Sequence, residues 1–318
     1  MKNIRLRPAT PDRDFETLAK WFTILEGQSN TKESLASYYE NAMDRTVQMV
    51  AEDDLKRLVG FFWASHEQVN VENGFFNLYV TPENREQGIG RRLYAAMTQA
   101  LEKFPLRTLS VRILDDSPEG REFVERRGFK MRSESLAMEL NLADFHDVHF
   151  DELIAGLIDE GFVFTNMEEL GNTEEMQRKL YQLNDSTSMD TPGSDGEHPW
   201  ESFEDFQQSV CQAKWYIPAG QFVVVDRFNG DFAAMSAITK FEGSKAAYNL
   251  HTGVKKDFRG RKLGQAVKVV ALRYARDVLK VKTVQTHHNV GNFPMLAIDR
   301  KLGYVKTASV YTYEKKMK

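Results

Sequence analysis

A single cysteine, Cys211, in 318 residues leaves no partner for an internal disulfide. It also leaves too few thiolates to build a Cys-based metal site. The seven histidines include the adjacent pair His287 and His288 but no HExxH spacing, so no metal site is expected. No apolar run approaches the roughly 18 residues that span a bilayer. The opening MKNIRLRPAT has no apolar core of signal-peptide length. There is no excess of basic charge either: the formal net charge is −4, which pushes the chain toward neither nucleic acid nor an anionic membrane. Together these absences predict a cytoplasmic protein with no metal, no nucleic-acid partner and no membrane.

What is present is ordinary for a protein with real cores: 42% hydrophobic and 28% charged residues. The length suggests two domains. In the first half, NIRLRPA reads as a strand. DRDFETLAKWFTILE reads as a helix with Phe15, Leu18, Trp21 and Phe22 at helical spacing. TVQMVAED, RLVGFFWAS and ENGFFNLYV read as strands, GRRLYAAMTQALEKF as a helix, and TLSVRIL as a strand. EGREFVERRGF reads as a short helix and ESLAMEL as the strand that closes the half. The aromatic groups Phe61, Phe62, Trp63, Phe75 and Phe76 fit strand interiors and read as core.

The second half repeats this order, from FVFT through a helix near TEEMQRKLYQLN and on to SVYTYEKKM. It adds a polar stretch, Asp185 to Trp200, rich in Gly, Pro, Ser and Asp, which reads as a long loop. The halves align at a nearly constant offset: Val254 − Val80 and Gly264 − Gly90 are both 174, and Gly303 − Gly128 is 175. This marks an internal duplication, with domains 1–143 and 144–318.

The most informative stretch is NLYVTPENREQGIGRRLYAAM, with its counterpart NLHTGVKKDFRGRKLGQAVKVVA. A strand, a tight turn and a helix start leave several backbone N–H groups unpaired at one point. The helix dipole adds partial positive charge there, so the junction suits a phosphate. Glycine permits close approach and positive φ, and an arginine adds a charged donor. The loop is neither a Walker loop nor a dinucleotide fingerprint, because neither pattern is met.

VTPENREQGIGRRL resembles the acetyl-CoA loop of the GCN5-related N-acetyltransferases (GNATs), Arg/Gln-x-x-Gly-x-Gly/Ala after a strand. VKKDFRGRKLGQAVK resembles it too, and TVQTHHNVGNFPMLAIDRKLGY resembles the family's following strand and helix. The resemblance covers nearly the whole chain as two copies. It implies an α/β fold of two GNAT-like domains, each a twisted mixed sheet of six or seven strands flanked by helices. It also implies acetyl-CoA as cofactor. The first-half contacts would come from Val80, Arg85, Glu86, Gln87, Gly88, Ile89 and Gly90. The second-half contacts would come from Val254, Arg259, Gly260, Arg261, Lys262, Leu263, Gly264 and Asn292. An unshifted alignment puts Lys262 at the middle glycine position.

The family's asparagine falls on Ser117 in the first half and on Asn292 in the second. Its frequent tyrosine acid falls on Val124 and on Asp299; the latter reads as a surface or capping residue. The second half is therefore favoured for catalysis. Its candidates are His251 as base, Tyr248 as acid and Asn292. Glu197, His198, His288 and Tyr311 are further options, and Glu72 is the base candidate of the first half. The acidic loop with Asp185, Asp190, Asp195 and Glu197 suits a cationic small-molecule amine, or is merely solvated. The expected activity is acetyl transfer from acetyl-CoA to a primary amine. The alternative is a protein that binds acetyl-CoA without turnover.

Overall fold

The computed structural model describes residues 4–26, 30–68, 70–194, 196 and 198–317. The chain divides into two compact units, Met1–Glu134 with Ser309–Lys318, and Ser135–Ala308.

In chain order the elements are β1 (Arg5–Pro8), α1 (Pro11–Glu26), α2 (Lys32–Asn41), β2 (Thr46–Glu52), β3 (Leu58–His66), β4 (Asn73–Val80), α3 (Ile89–Leu101), β5 (Thr108–Leu114), α4 (Pro118–Glu125) and β6 (Lys130–Asn141). There follow α5 (Asp151–Asp159), β7 (Phe162–Asn166), α6 (Glu174–Met189), α7 (Phe203–Phe206), β8 (Gln221–Asp226) and β9 (Phe232–Thr239). The last are β10 (Ala247–Val254), α8 (Leu263–Asp277), β11 (Thr283–Asn289), α9 (Phe293–Leu302) and β12 (Val305–Lys316).

The first unit's sheet runs β1-β2-β3-β4-β5 and is completed by the C-terminal part of β12. Only β4 and β5 pair in parallel there. β3, LVGFFWASH, is central and buried along most of its length, as a strand covered on both faces should be. On one face Ile89, Leu93, Met97 and Leu101 of α3 form a helical stripe over Phe62, Phe76 and Val111. On the other, Phe15, Leu18 and Phe22 of α1 pack on Phe61 and Trp63. α2 went unread in the sequence although it carries a capping box, Thr31 with Ser34.

The second unit's sheet runs β6-β11-β10-β9-β8-β7, again mixed, with β10 and β11 parallel. α8 and α9 cover one face over Val224, Ala234 and Val284. α6 and α7 cover the other over Val223, Met235 and Ala237. α5 has no counterpart in the first unit. The Arg273–Asp151 pair holds it to α8, and Arg273 and Arg276, each 2.8 Å from Asp147, hold the turn before it there too.

Two features differ from the sequence reading. Residues 135–143 lie in the second unit and 309–318 in the first, where the reading put boundaries at 143 and 144. The reason is pairing: Ser135–Asn141 of β6 run antiparallel to β11, and Val310–Lys316 of β12 run antiparallel to β5. The polar stretch from Asp185 also begins as helix, because α6 continues to Met189. Its hydroxyls bond back along the helix, Ser186 and Thr187 to the Leu183 carbonyl at 3.1 and 2.8 Å. They satisfy themselves without leaving it.

Candidate active site

In each unit the two parallel strands pair briefly and then diverge. β4 and β5 are in register only from Asn73 to Phe75, and β10 and β11 only at Ala247 and Tyr248. Beyond those points the strands leave a wedge-shaped opening, and each of β4 and β10 leads into its loop and helix.

The two loops have one backbone geometry built from different residues. In the first, Glu86 (φ 60°) and Gly88 (φ 79°) are left-handed; in the second, Gly260 (φ 82°) and Lys262 (φ 63°) are. The unshifted alignment is therefore the structural one, and Lys262 adopts the conformation of Gly88 at a cost of roughly 1–2 kcal/mol. The first helical backbone bonds run from Arg92 to the Gly88 carbonyl and from Ala266 to the Lys262 carbonyl. The N–H groups of Ile89 to Arg91 and of Leu263 to Gln265 precede them and stay free of helical partners. At the second helical position Gly90 and Gly264 lie against the strand end: a Cβ would stand 3.7 Å from Val80 Cγ2 and 3.1 Å from Val254 Cγ2.

Both loop arginines reach back to the strand end. Arg85 Nε donates to the Val80 carbonyl at 3.2 Å and Arg259 Nε to the Val254 carbonyl at 3.1 Å. They then part. Arg85 pairs with Glu119 of α4, whereas Arg259 pairs with Asp190, just past α6, at 2.5 Å. The second loop is the more cationic, with Lys255, Lys256, Arg259, Arg261 and Lys262 against Asp257. The first sets Arg85 against Glu83 and Glu86. The backbone donors and these cations fit the pyrophosphate of a coenzyme A thioester.

β10 also carries a bulge between Asn249 and His251, where its register with β9 shifts; β4 pairs with β3 without one. The extra residue at a bulge drops out of the ladder. Around it sits a polar network. Asn249 Nδ2 donates to Ser236 Oγ and to the Ala237 carbonyl, at 3.0 and 2.9 Å. Thr286 Oγ1 donates to the Asn249 carbonyl across the opening, at 3.0 Å.

His251 Nε2 is 2.9 Å from Thr187 Oγ1 of α6. Burial, with the nearby His288 adding to it, pushes its pKa down to about 4. The ring is therefore neutral near pH 7 but a weak base. Tyr248 OH bonds to His287 Nδ1. Asn292 caps α9, its Oδ1 accepting from Met295 N at 3.4 Å, so the amide NH₂ is what it has left to offer a ligand.

Asp299 corrects the surface reading. It is fully buried, ion-paired with the equally buried Lys268 of α8, and 2.6 Å from His288 Nε2. Burial alone would raise its pKa, but the His288 hydrogen bond and the Lys268 charge more than offset that and hold it below the usual range. Burial likewise pushes Lys268 down, against Asp299. Lys268 Nζ lies 4.9 Å above the Tyr304 ring.

Other candidates lie apart from this group. His198 pairs with Asp185 at 2.7 Å. Glu72 pairs with Arg107 at 3.1 Å, at the strand end away from the loop. Arg121 stacks on Tyr311 in the first unit, and Val124 is buried apolar packing. Asp195 and Glu197 lie outside the described residues. Among the described residues no group of His, Cys, Asp and Glu could hold a metal ion, and no helix is long and apolar enough to cross a membrane. Lys268, Thr187, Thr286 and Tyr304 went unread. One signal was available: Lys268 interrupts an apolar helical stripe at the position of Tyr94.

Residues 44–131 match the family model of the acetyltransferase (GNAT) domain. No curated protein matches the chain. Among solved structures, a GCN5-related glucosamine N-acetyltransferase region of a fungal multi-domain GH3 β-N-acetylglucosaminidase aligns with a TM-score of 0.77 at 15% identity. That alignment covers 99% of this chain and 38% of the other. A GCN5-related N-acetyltransferase from Sphaerobacter thermophilus aligns at 0.72 with 14% identity, over 98% and 95% of the two chains. A tandem GNAT protein from the clavulanic acid biosynthesis pathway aligns at 0.71 with 18% identity, over 99% and 98%.

Proposed function

We propose that this chain, an acetyltransferase (GNAT) domain protein with that fold in two copies, moves an acetyl group from acetyl-CoA to a primary amine of a small molecule, and does so in its second unit. The observation that carries the reading is the divergence of β10 from β11 above a cationic loop and an uncapped helix start. Acetyl-CoA supplies an activated thioester carbonyl.

The chain's own residues have three tasks. Arg259, Gly260, Arg261, Lys262, Leu263 and Gly264 hold the pyrophosphate. A backbone N–H of β10, between the bulge at Asn249–His251 and Val254, holds the developing oxyanion. His251, neutral and fixed by Thr187, accepts the proton that the attacking amine gives up. Its weak basicity suits an amine that arrives already neutral. Tyr248 and His287 stand beside the opening as a hydrogen-bonded pair, and Asn292 orients its rim. In the first unit Val80, Arg85, Glu86, Gln87, Gly88, Ile89 and Gly90 form the same cradle. There Glu119 engages the arginine, and the loop has no cationic excess.

The test is acetyl-CoA calorimetry on the wild type, Gly88→Asp and Lys262→Asp. Both positions are left-handed, a conformation that Asp tolerates. We expect one site per chain, lost in Lys262→Asp and kept in Gly88→Asp. The reverse pattern moves the site to the first unit. Binding without coenzyme A release to any of a panel of amines favours the non-catalytic reading, which the absence of a tyrosine at both Val124 and Asp299 supports.

A further inference from the structure

The duplication supplies an internal control for the buried charges of the second unit. Aligned at the offsets of their elements, Lys268, Asp299, His288 and Tyr304 stand where the first unit has Tyr94, Val124, Ile113 and Phe129. The first unit fills that slot without an ion pair: Val124, Ile113 and Phe129 are core, the Tyr94 and Phe129 rings are 6.5 Å apart, and the Arg127 guanidinium lies 5.0 Å over the Tyr94 ring. The fold therefore does not need a buried ion pair there. Burying an ion pair in place of packed apolar groups seldom adds stability, so the charges of the second unit call for another role.

The contacts run from the buried Lys268 and Asp299 to the partly exposed His288. Lys268 holds one oxygen of Asp299, and the other oxygen holds His288 Nε2 at 2.6 Å. That bond fixes the imidazole. Its Nδ1 has no protein partner among the described residues. His288 lies three residues past Gln285, the last β11 residue in register with β10, and so on the diverged part of the strand. At about 3.3 Å per residue this is roughly 10 Å into the opening. The other titratable group facing it is His251 from β10; Tyr304 lies behind, against Lys268 and Asp299, its buried hydroxyl without a partner among the described residues.

We propose that His288, oriented by Asp299 and Lys268, is the proton donor to the departing sulfur of coenzyme A. The inference rests on the reading that the second unit binds the thioester. As the amine nitrogen bonds to the carbonyl carbon, the carbon–sulfur bond breaks and its electron pair stays on sulfur. His288 gives its Nδ1 proton to that sulfur and keeps Nε2–H on Asp299. The proton lost by the amine leaves through His251, and solvent reprotonates His288. His288 is the catalytic residue; Asp299 and Lys268 are positioning residues.

The decisive readout needs no acceptor: the ultraviolet titration of the thiol of bound coenzyme A, in the wild type and in His288→Gln. If His288 faces the sulfur, the bound thiol of the wild type ionises at lower pH than in the variant, by a unit or more. Coenzyme A affinity and melting temperature should stay close to wild type. With hydroxylamine as a small acceptor that is neutral at pH 7, release of coenzyme A should fall at least tenfold. Identical thiol titrations in the two proteins overturn the proposal and leave the binding reading intact. Absence of coenzyme A binding by the wild type overturns both. Asp299→Asn should lower turnover in the same direction without changing coenzyme A affinity, and unchanged turnover would remove its positioning role.

Discussion

The Lys268–Asp299–His288 group allows a thermodynamic prediction that separates breaking a buried charge system from replacing it. Lys268→Met removes the ammonium and leaves the fully buried Asp299 with His288 alone. Breaking a buried pair from one side costs about 3–5 kcal/mol. For a unit of this size, each kcal/mol moves the midpoint by about 2–4 °C, so the melting temperature of the second unit should drop by roughly 6–20 °C. The triple variant Lys268→Met, Asp299→Val, His288→Ile removes all the charge and puts apolar groups where the first unit has Tyr94, Val124 and Ile113. It should be as stable as the wild type or about 1–4 kcal/mol more stable. Differential scanning calorimetry at pH 7, supported by urea unfolding followed by tryptophan fluorescence, measures both. The reasoning fails if the triple variant is destabilised by the sum of its single substitutions. Additivity would mean that each side chain contributes packing rather than a coupled charge system.

Two further predictions concern neighbouring groups. The folded pKa of His251 is near 4 against an unfolded value near 6.5, so between these values the unfolded chain binds the extra proton. Stability should then fall as pH drops from 6.5 to 4, by up to about 3 kcal/mol. His251→Gln should flatten that slope in urea titrations, while Asp299, held below the usual carboxylate range, acts only at lower pH. Tyr304→Phe removes a buried hydroxyl that has no partner among the described residues and should raise the unfolding free energy by about 1 kcal/mol or more; a loss would mean that the hydroxyl is satisfied in solution.

Sequence pattern revealed much of this architecture because the signals were local. The strand–glycine–helix junctions at Gly88 and Gly264 are written in a dozen contiguous residues. The offset of 174 or 175 between halves comes from comparing the chain with itself. The bulge at Asn249 was hidden, since an extra residue shows only against a partner strand. Asp299 was misread because burial is a tertiary property: on a short helix an aspartate looks like a cap until the lysine of another helix is placed beside it. His251 could be named as a candidate, but its weak basicity follows from the packing around it. The assignment of β6 was out of reach for a similar reason. Its alternation shows a strand but not which edge receives it, and β11 is about 150 residues further along the chain.

The trading of final strands bears on how such a chain could have arisen. Each half ends in a strand, β6 or β12, and part of that strand completes the sheet of the unit built mainly from the other half. A solitary half with this habit would leave its β5-type strand as a bare edge, an invitation to aggregation. Two identical copies could cure this by exchanging tails, as a domain-swapped dimer does. Joining the copies end to end would make that exchange intramolecular and permanent. One copy would then be free to fill an interior slot without an ion pair while the other kept one in it.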